Sequence, residues 1–495
     1  MKPIVLIHGY SSESPTSDPT SISNIYGDLP SRLRATYDVV EVDLSRYVSL
    51  NDSVSIADIA RALNRALLEQ HPALLKDGFH VVIHSTGALV IRTWIRLFSR
   101  KPSPVRNLVY LAGANLGSGW ASIGQGQVAR WGRFVFERGA QRGVKVLQSL
   151  ELAASPTIDL HLALTSGDSR MREDYQVQEF VIIGTQADPS WFEFPVRYAH
   201  EDGSDGVVRV AAGNLNFNHI AIGPNDSAAS LSWPEVTTAV QSAEAKRPFP
   251  HYYDVKARTD AGAQRPLVPF GIVCGCAHSG KEMGIVSGSG PQEQVMRMLR
   301  RALETAERDS DAWQAVVADY ERETAQTFSR AQQMSKRGLL NFLADQRHQY
   351  DPHAQVVLRL WDQDANPIPI ANTDIFFISE QVQKETIPIQ SLIEDSSVSG
   401  TSPNCIAFYL RVQKFDPRAK AWIDQLAQVC DFALEITAIE PATSSHDPLI
   451  AYLPLRMPSL DAKELASLIQ PHRSTIIDVT LLRLPSPAVY QLIKS

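Results

Sequence analysis

Phe79-His80-Val81-Val82-Ile83-His84-Ser85-Thr86-Gly87 reads as a buried strand that breaks abruptly at a serine. The near-continuous apolar run is the pattern of a strand covered on both faces. Ala88–Ser99 follows at once with helical periodicity. A serine on such a strand-to-helix turn presents its hydroxyl at the carboxyl edge of a sheet. The helix N-terminus behind it favours developing negative charge. Gly87 lets the helix pack closely after the turn. The common pattern for such a turn is G-x-S-x-G, and here Ile83 stands in place of the first glycine. That departure requires extra room where the turn meets its neighbours. The plain alternative is a structural serine in a turn.

Outward from this stretch, further apolar runs predict strands at Ile4–Ile7, Val39–Leu44, Leu108–Ala112, Phe180–Gly184 and Val207–Ala211. Ile56–Glu69 carries apolar residues at helical spacing, and Ser55 with Asp58 predicts a capping box at its start. Alternating strands and helices imply a mostly parallel sheet with flanking helices. With a serine at the elbow, this is the α/β-hydrolase pattern. In that fold a loop after an early strand gives one backbone N–H to an oxyanion hole, and the residue after the nucleophile gives another. Ile4–Ile7 runs into His8-Gly9-Tyr10, so the candidate donors are the Tyr10 and Thr86 amides. His8 is read as a supporting residue rather than the base.

An acid and a histidine are expected downstream, in the order Ser, Asp, His. Asp188 ends Gly184-Thr185-Gln186-Ala187-Asp188, and Asp205 sits in Gly203-Ser204-Asp205-Gly206. His219 lies in Asn216-Phe217-Asn218-His219, and His278 in Cys276-Ala277-His278-Ser279-Gly280-Lys281. The residue pattern leaves both choices open.

The chain has 495 residues, 44% hydrophobic and 20% charged, an ordinary globular mixture. A net charge of −7 argues against a dedicated nucleic-acid binder. Four cysteines are too few for a disulfide scaffold. Cys274-Gly275-Cys276 lacks the partner pair that a zinc site needs, so no metal is expected. No signal peptide and no transmembrane helix are read. The expected division is residues 1–344, an α/β catalytic domain, and 345–495, a β-rich C-terminal domain. Within the first, 118–153 is a candidate insert or lid carrying Trp120, Trp131, Phe134 and Phe136, and 291–344 is helical. The apolar run Ile476–Leu484 needs a pairing partner, because an exposed apolar edge invites aggregation.

His84-Ser85-Thr86-Gly87, Ser204-Asp205-Gly206-Val207-Val208-Arg209-Val210 and His278-Ser279-Gly280-Lys281 together resemble the PlaB family of bacterial phospholipases A and lysophospholipases A. The resemblance covers most of the chain. It implies a triad of Ser85, Asp205 and His278, acting on fatty-acyl esters of phospholipids and lysophospholipids without a catalytic cofactor. It also implies peripheral membrane association at the bacterial cell envelope or in the cytoplasm, a homo-oligomer (dimer or tetramer), and regulatory NAD(H). No dinucleotide fingerprint supports the last: Gly288-Ser289-Gly290 lacks the third glycine and the acidic partner. Other ester hydrolases on the same fold (a lipase, carboxylesterase or thioesterase) are the competing expectation, and a catalytically dead interaction protein is the rival from another class.

Overall fold

The computed structural model describes residues 2–7, 25–42, 44, 52–122, 143–167, 169–187, 201–306, 310–334, 345–379, 386–429, 431–440 and 449–490. The chain forms two compact units, neither continuous in sequence. The first comprises Met1–Asn216, Pro266–Asp351 and Phe415–Ala421; the second comprises Phe217–Arg265, Pro352–Lys414 and Trp422–Ser495. The segment Phe217–Arg265, which a single boundary at 345 would leave with the catalytic part, thus belongs to the second unit.

The first unit is built on six strands: β1 (Ile4–Ile7), β2 (Val39–Val42), β3 (Phe79–His84), β4 (Val105–Leu111), β5 (Gln178–Gly184) and β6 (Phe270–Val273). Their order is β2-β1-β3-β4-β5-β6, and every pair is parallel. Alternate residues of each strand feed opposite layers. Ile7, Val81, Ile83, Tyr110 and Ile183 join one apolar cluster with helices α1 (Ile56–Gln70) and α2 (Gly87–Phe98). Leu6, Val82, Val109, Leu111 and Ile182 join another with α3 (Gln292–Leu303) and α4 (Ser310–Gln332). Both faces are covered, which is why the strands read as unbroken apolar runs. The Ser55–Asp58 capping box is present at the start of α1.

Two details depart from the sequence reading. A sixth strand, β6, forms at Phe270–Val273, where the apolar pattern predicts none. Val207–Ala211 is not a strand. The amides of Val207 and Val208 donate to the Asp205 carboxylate instead of to a sheet, and Val210–Gly213 is a short helical turn. The run is buried all the same, so its apolarity reported burial and not strand geometry.

In the second unit a mixed sheet runs in the order Ile393–Val398, Cys405–Arg411, His353–Asp362, Ser474–Leu481, Asn218–Pro224, Tyr253–Thr259. The strand Ser474–Leu481 pairs in parallel with both neighbours. The apolar C-terminal run therefore finds its partners inside its own unit. Ile220, Val356, Leu358, Leu360, Ile477 and Val479 form part of that unit's core.

Candidate active site

Ser85 follows the last residue of β3 with φ of 54°, in the left-handed region that a residue with a β-carbon enters at a cost. Its backbone is held from both sides. The Ser85 amide donates to Leu111 at 3.2 Å, and its carbonyl accepts from Ala88 at 3.1 Å and Ala114 at 3.3 Å. Thr86 is the N-cap of α2, where the first amides have no intrahelical acceptor. Ile83, in the position of the missing glycine, is fully buried in the cluster that holds Ile7 and Ala88.

Asp205 sits in a tight turn after Gly203, and its side chain is fully buried. Its Oδ1 accepts from the Val207 amide at 2.9 Å and the Val208 amide at 2.7 Å. Oδ2 lies 3.0 Å from His278 Nδ1. Each oxygen of the buried carboxylate thus has a partner, which a buried charge requires.

His278 stands on the loop after β6. Its amide donates to the Asp205 carbonyl at 2.9 Å, and its Nε2 lies 3.0 Å from Ser85 Oγ. The loop approaches β5 so closely that a β-carbon on Gly184 would sit 2.0 Å from the Cys276 carbonyl oxygen. Gly184 is therefore required for the loop that carries His278 to pack where it does. Ser85, His278 and Asp205 form one hydrogen-bonded line, the arrangement in which a histidine can take a proton from a serine while an acid orients it.

The other candidates separate from this line. His219 belongs to the second unit and pairs with Asp478. Asp188, His8 and Tyr10 lie outside the described residues, as do Trp131, Phe134 and Phe136 of the insert. Trp120 is core: it is buried and its indole N–H donates to the Gly206 carbonyl at 2.6 Å, one residue after Asp205. Cys276 is buried, and that burial, with Asp205 nearby, keeps its thiol protonated. Among the described residues, no cluster of three His, Cys, Asp or Glu side chains could hold a metal ion. A β-carbon on Gly288 would lie 2.4 Å from the Gly284 amide nitrogen, so that glycine serves a contact within its own loop.

Two further residues meet this site without a signal of their own in the residue pattern. The buried Tyr26 hydroxyl donates to the Ile7 carbonyl at 2.7 Å, at the end of β1. Burial holds that phenol protonated well above its ordinary range, against the opposing hydrogen bond from the His84 backbone. His84 enters the sequence pattern only as the first residue of His84-Ser85-Thr86-Gly87. Its ring Nε2 lies 3.0 Å from the His278 carbonyl oxygen.

A six-stranded parallel sheet with a serine at a strand-to-helix elbow, and an acid and a histidine on later loops, is the α/β-hydrolase fold. Phospholipase PlaB from Legionella pneumophila shares the architecture over the whole length, with a TM-score of 0.75 at 20% identity, covering 100% of this chain and 96% of that one. The structure of that phospholipase in complex with thio-NAD matches with a TM-score of 0.75 at 19% identity, with the same coverage. At this identity the likeness establishes the fold. Residues 3–145 match the family model of palmitoyl protein thioesterase. No curated protein matches the sequence.

Proposed function

We propose that this protein is a serine hydrolase that cleaves fatty-acyl esters of phospholipids and lysophospholipids. The observation that carries the reading is the line Ser85–His278–Asp205, with both hydrogen bonds at 3.0 Å. His278 Nε2 takes the proton of Ser85 Oγ as the oxygen attacks the ester carbonyl. The Thr86 amide, with that of Tyr10, receives the oxyanion. Removing one such donor typically costs about 10²–10³ in rate. His278 then returns the proton to the leaving alcohol, a lysophospholipid or a glycerophosphodiester. Water, activated by the same imidazole, releases the fatty acid and restores Ser85. Asp205 keeps the Nδ1–H tautomer and offsets the imidazolium charge. Its Oδ1 is held by two amides, so Oδ2 stays aimed at the ring.

The phospholipid substrate is favoured by the full-length architecture shared with PlaB and by the three sequence motifs together. A thioester donor is the second reading, favoured by the match of residues 3–145 to palmitoyl protein thioesterase. Peripheral membrane contact, a homo-oligomer and regulatory NAD(H) complete the proposal by the same likeness, and no catalytic step uses the dinucleotide. Among the described residues, no helix is long and apolar enough to cross a membrane.

A fluorophosphonate probe followed by a substrate panel tests the reading. Labelling at Ser85 with release of fatty acid from phosphatidylcholine and lysophosphatidylcholine supports it. Labelling with turnover of acyl thioesters alone replaces the substrate. Absence of labelling in the folded protein rejects a serine hydrolase.

A further inference from the structure

We propose that His84, the residue before the nucleophile, is a positioning residue that anchors the base loop by donating its Nε2–H to the backbone carbonyl of His278. The proposal rests on the triad reading and extends it to a fourth side chain.

His278 has four polar atoms, and three residues hold them. Its amide donates to the Asp205 carbonyl at 2.9 Å. Its Nδ1 faces Asp205 Oδ2 at 3.0 Å, and its Nε2 faces Ser85 Oγ at 3.0 Å. Its carbonyl oxygen lies 3.0 Å from His84 Nε2. A carbonyl can only accept, so Nε2 of His84 carries the hydrogen. His84 and Ser85 are consecutive at the end of β3. One side chain therefore ties the backbone of the base to the backbone of the nucleophile.

This matters because the other hydrogen bonds of the loop run elsewhere: the Ala277 amide donates to the Met283 carbonyl at 2.8 Å and the Ile285 amide to the Ala277 carbonyl at 2.9 Å, within the loop, and the Gly275 amide donates to the Tyr350 hydroxyl at 2.9 Å. His278 stands five residues beyond the end of β6, on a loop with no regular element before α3. Asp205 holds its N-terminal side. Without His84, the carbonyl side of the residue would lose a tie to the strand that carries Ser85. A misplacement of about 1 Å in such a group costs about 10²-fold.

The charge state of His84 suits the task. The two imidazole centroids are 4.7 Å apart. Burial, with His278 next to it, lowers the His84 pKa to about 3. His84 therefore stays neutral while His278 picks up the serine proton. A donor such as lysine at this place would bring a second positive charge against the imidazolium.

Two substitutions separate the donor from the bulk of the ring. His84→Gln places an amide N–H near the position of Nε2, whereas His84→Phe keeps a ring and removes the donor. The expected result is a kcat about 10–100-fold lower for His84→Phe, with KM within about twofold, and recovery to within about fivefold of wild type for His84→Gln. In a His278→Ala background, His84→Phe should change the residual rate less than about twofold, because its effect runs through His278. Equal losses in both His84 variants, an undiminished kcat in His84→Phe, or a further large loss in the His278→Ala background would each overturn the proposal. If His84→Phe does not fold, the His84→Gln rate and its His278→Ala combination decide: a loss above about tenfold in His84→Gln overturns it. Ser85→Ala is the separate control. If that variant keeps full activity, the triad reading fails; if it is dead and His84→Phe is fully active, only the present inference fails.

Discussion

Asp205–His278 in the first unit and Asp478–His219 in the second bring the same two residue types to 3.0 and 2.8 Å. Their surroundings differ. In the first pair the second carboxylate oxygen accepts from two neutral amides, the far ring nitrogen meets a serine hydroxyl, and both side chains are buried. In the second pair Arg359 already bridges the carboxylate, with Nε 2.6 Å from Oδ1 and Nη2 2.8 Å from Oδ2, and both side chains are about one-fifth exposed. A carboxylate answered by guanidinium has little charge left to stabilise an imidazolium. An Asp–His contact is therefore not a catalytic signature by itself. The third partner decides.

The largest effect expected from this contrast is at the first pair. Ser85→Ala should abolish turnover, and Asp205→Asn and His278→Asn should each lower kcat by about 10⁴. Steady-state hydrolysis with circular dichroism of the purified variants checks this. Full activity in folded Ser85→Ala would end the serine-hydrolase reading.

Removing the chain from Ile476 onward deletes most of a strand that has a parallel neighbour on each side. The second unit should lose its cooperative thermal transition, and both a short water-soluble ester and a phospholipid should go unhydrolysed. Loss of phospholipid hydrolysis alone would assign the unit to lipid engagement. Unchanged rates on both would make it dispensable.

Gly184→Ala introduces a β-carbon 2.0 Å from a backbone oxygen two residues before His278. A backbone contact of that kind is relieved only if the loop moves. A fall of about 10–100-fold in kcat is expected. A wild-type rate would show that the base loop tolerates displacement.

The smallest effect on activity, within about threefold, is expected from Asp478→Asn and His219→Asn. Asp478 should matter instead for acid stability. Burial raises its pKa, but the hydrogen bonds from His219 and Arg359 outweigh burial and hold it below the ordinary carboxylate value. A depressed folded pKa contributes stability above the unfolded value of about 3.9, and that stability is lost as pH falls through the folded value. Asp478→Asn should be destabilised by roughly 1–3 kcal/mol at pH 7, with a flatter stability curve below about pH 4. Denaturant melts at pH 7 and pH 3 test it. A dead but stable His219→Asn would instead move the base to the second unit.

Much of this molecule is legible in the sequence because burial on both faces of a parallel sheet writes unbroken apolar runs. β1, β3, β4 and β5 announce themselves in this way, and the serine announces itself by ending one of them. The same apolarity misled at Val207–Ala211, where the amides serve a carboxylate, and β6 carries Gly271 inside its four residues, which interrupts the apolar run. Periodicity reports which side chains leave water and says little about where the backbone hydrogen bonds go.

Residue order alone determined the sheet-and-helix pattern, the elbow serine and a short set of acids and histidines. Resemblance in three motifs selected among that set. Tertiary structure alone decided the geometry: that His278 and Asp205 close on Ser85 while His219 is committed to Asp478, that Gly184 clears a path for the His278 loop, and that His84 lies against the His278 carbonyl. These are contacts between residues as many as 259 positions apart. Local propensity carries no information at that range; the packing of the folded chain supplies it.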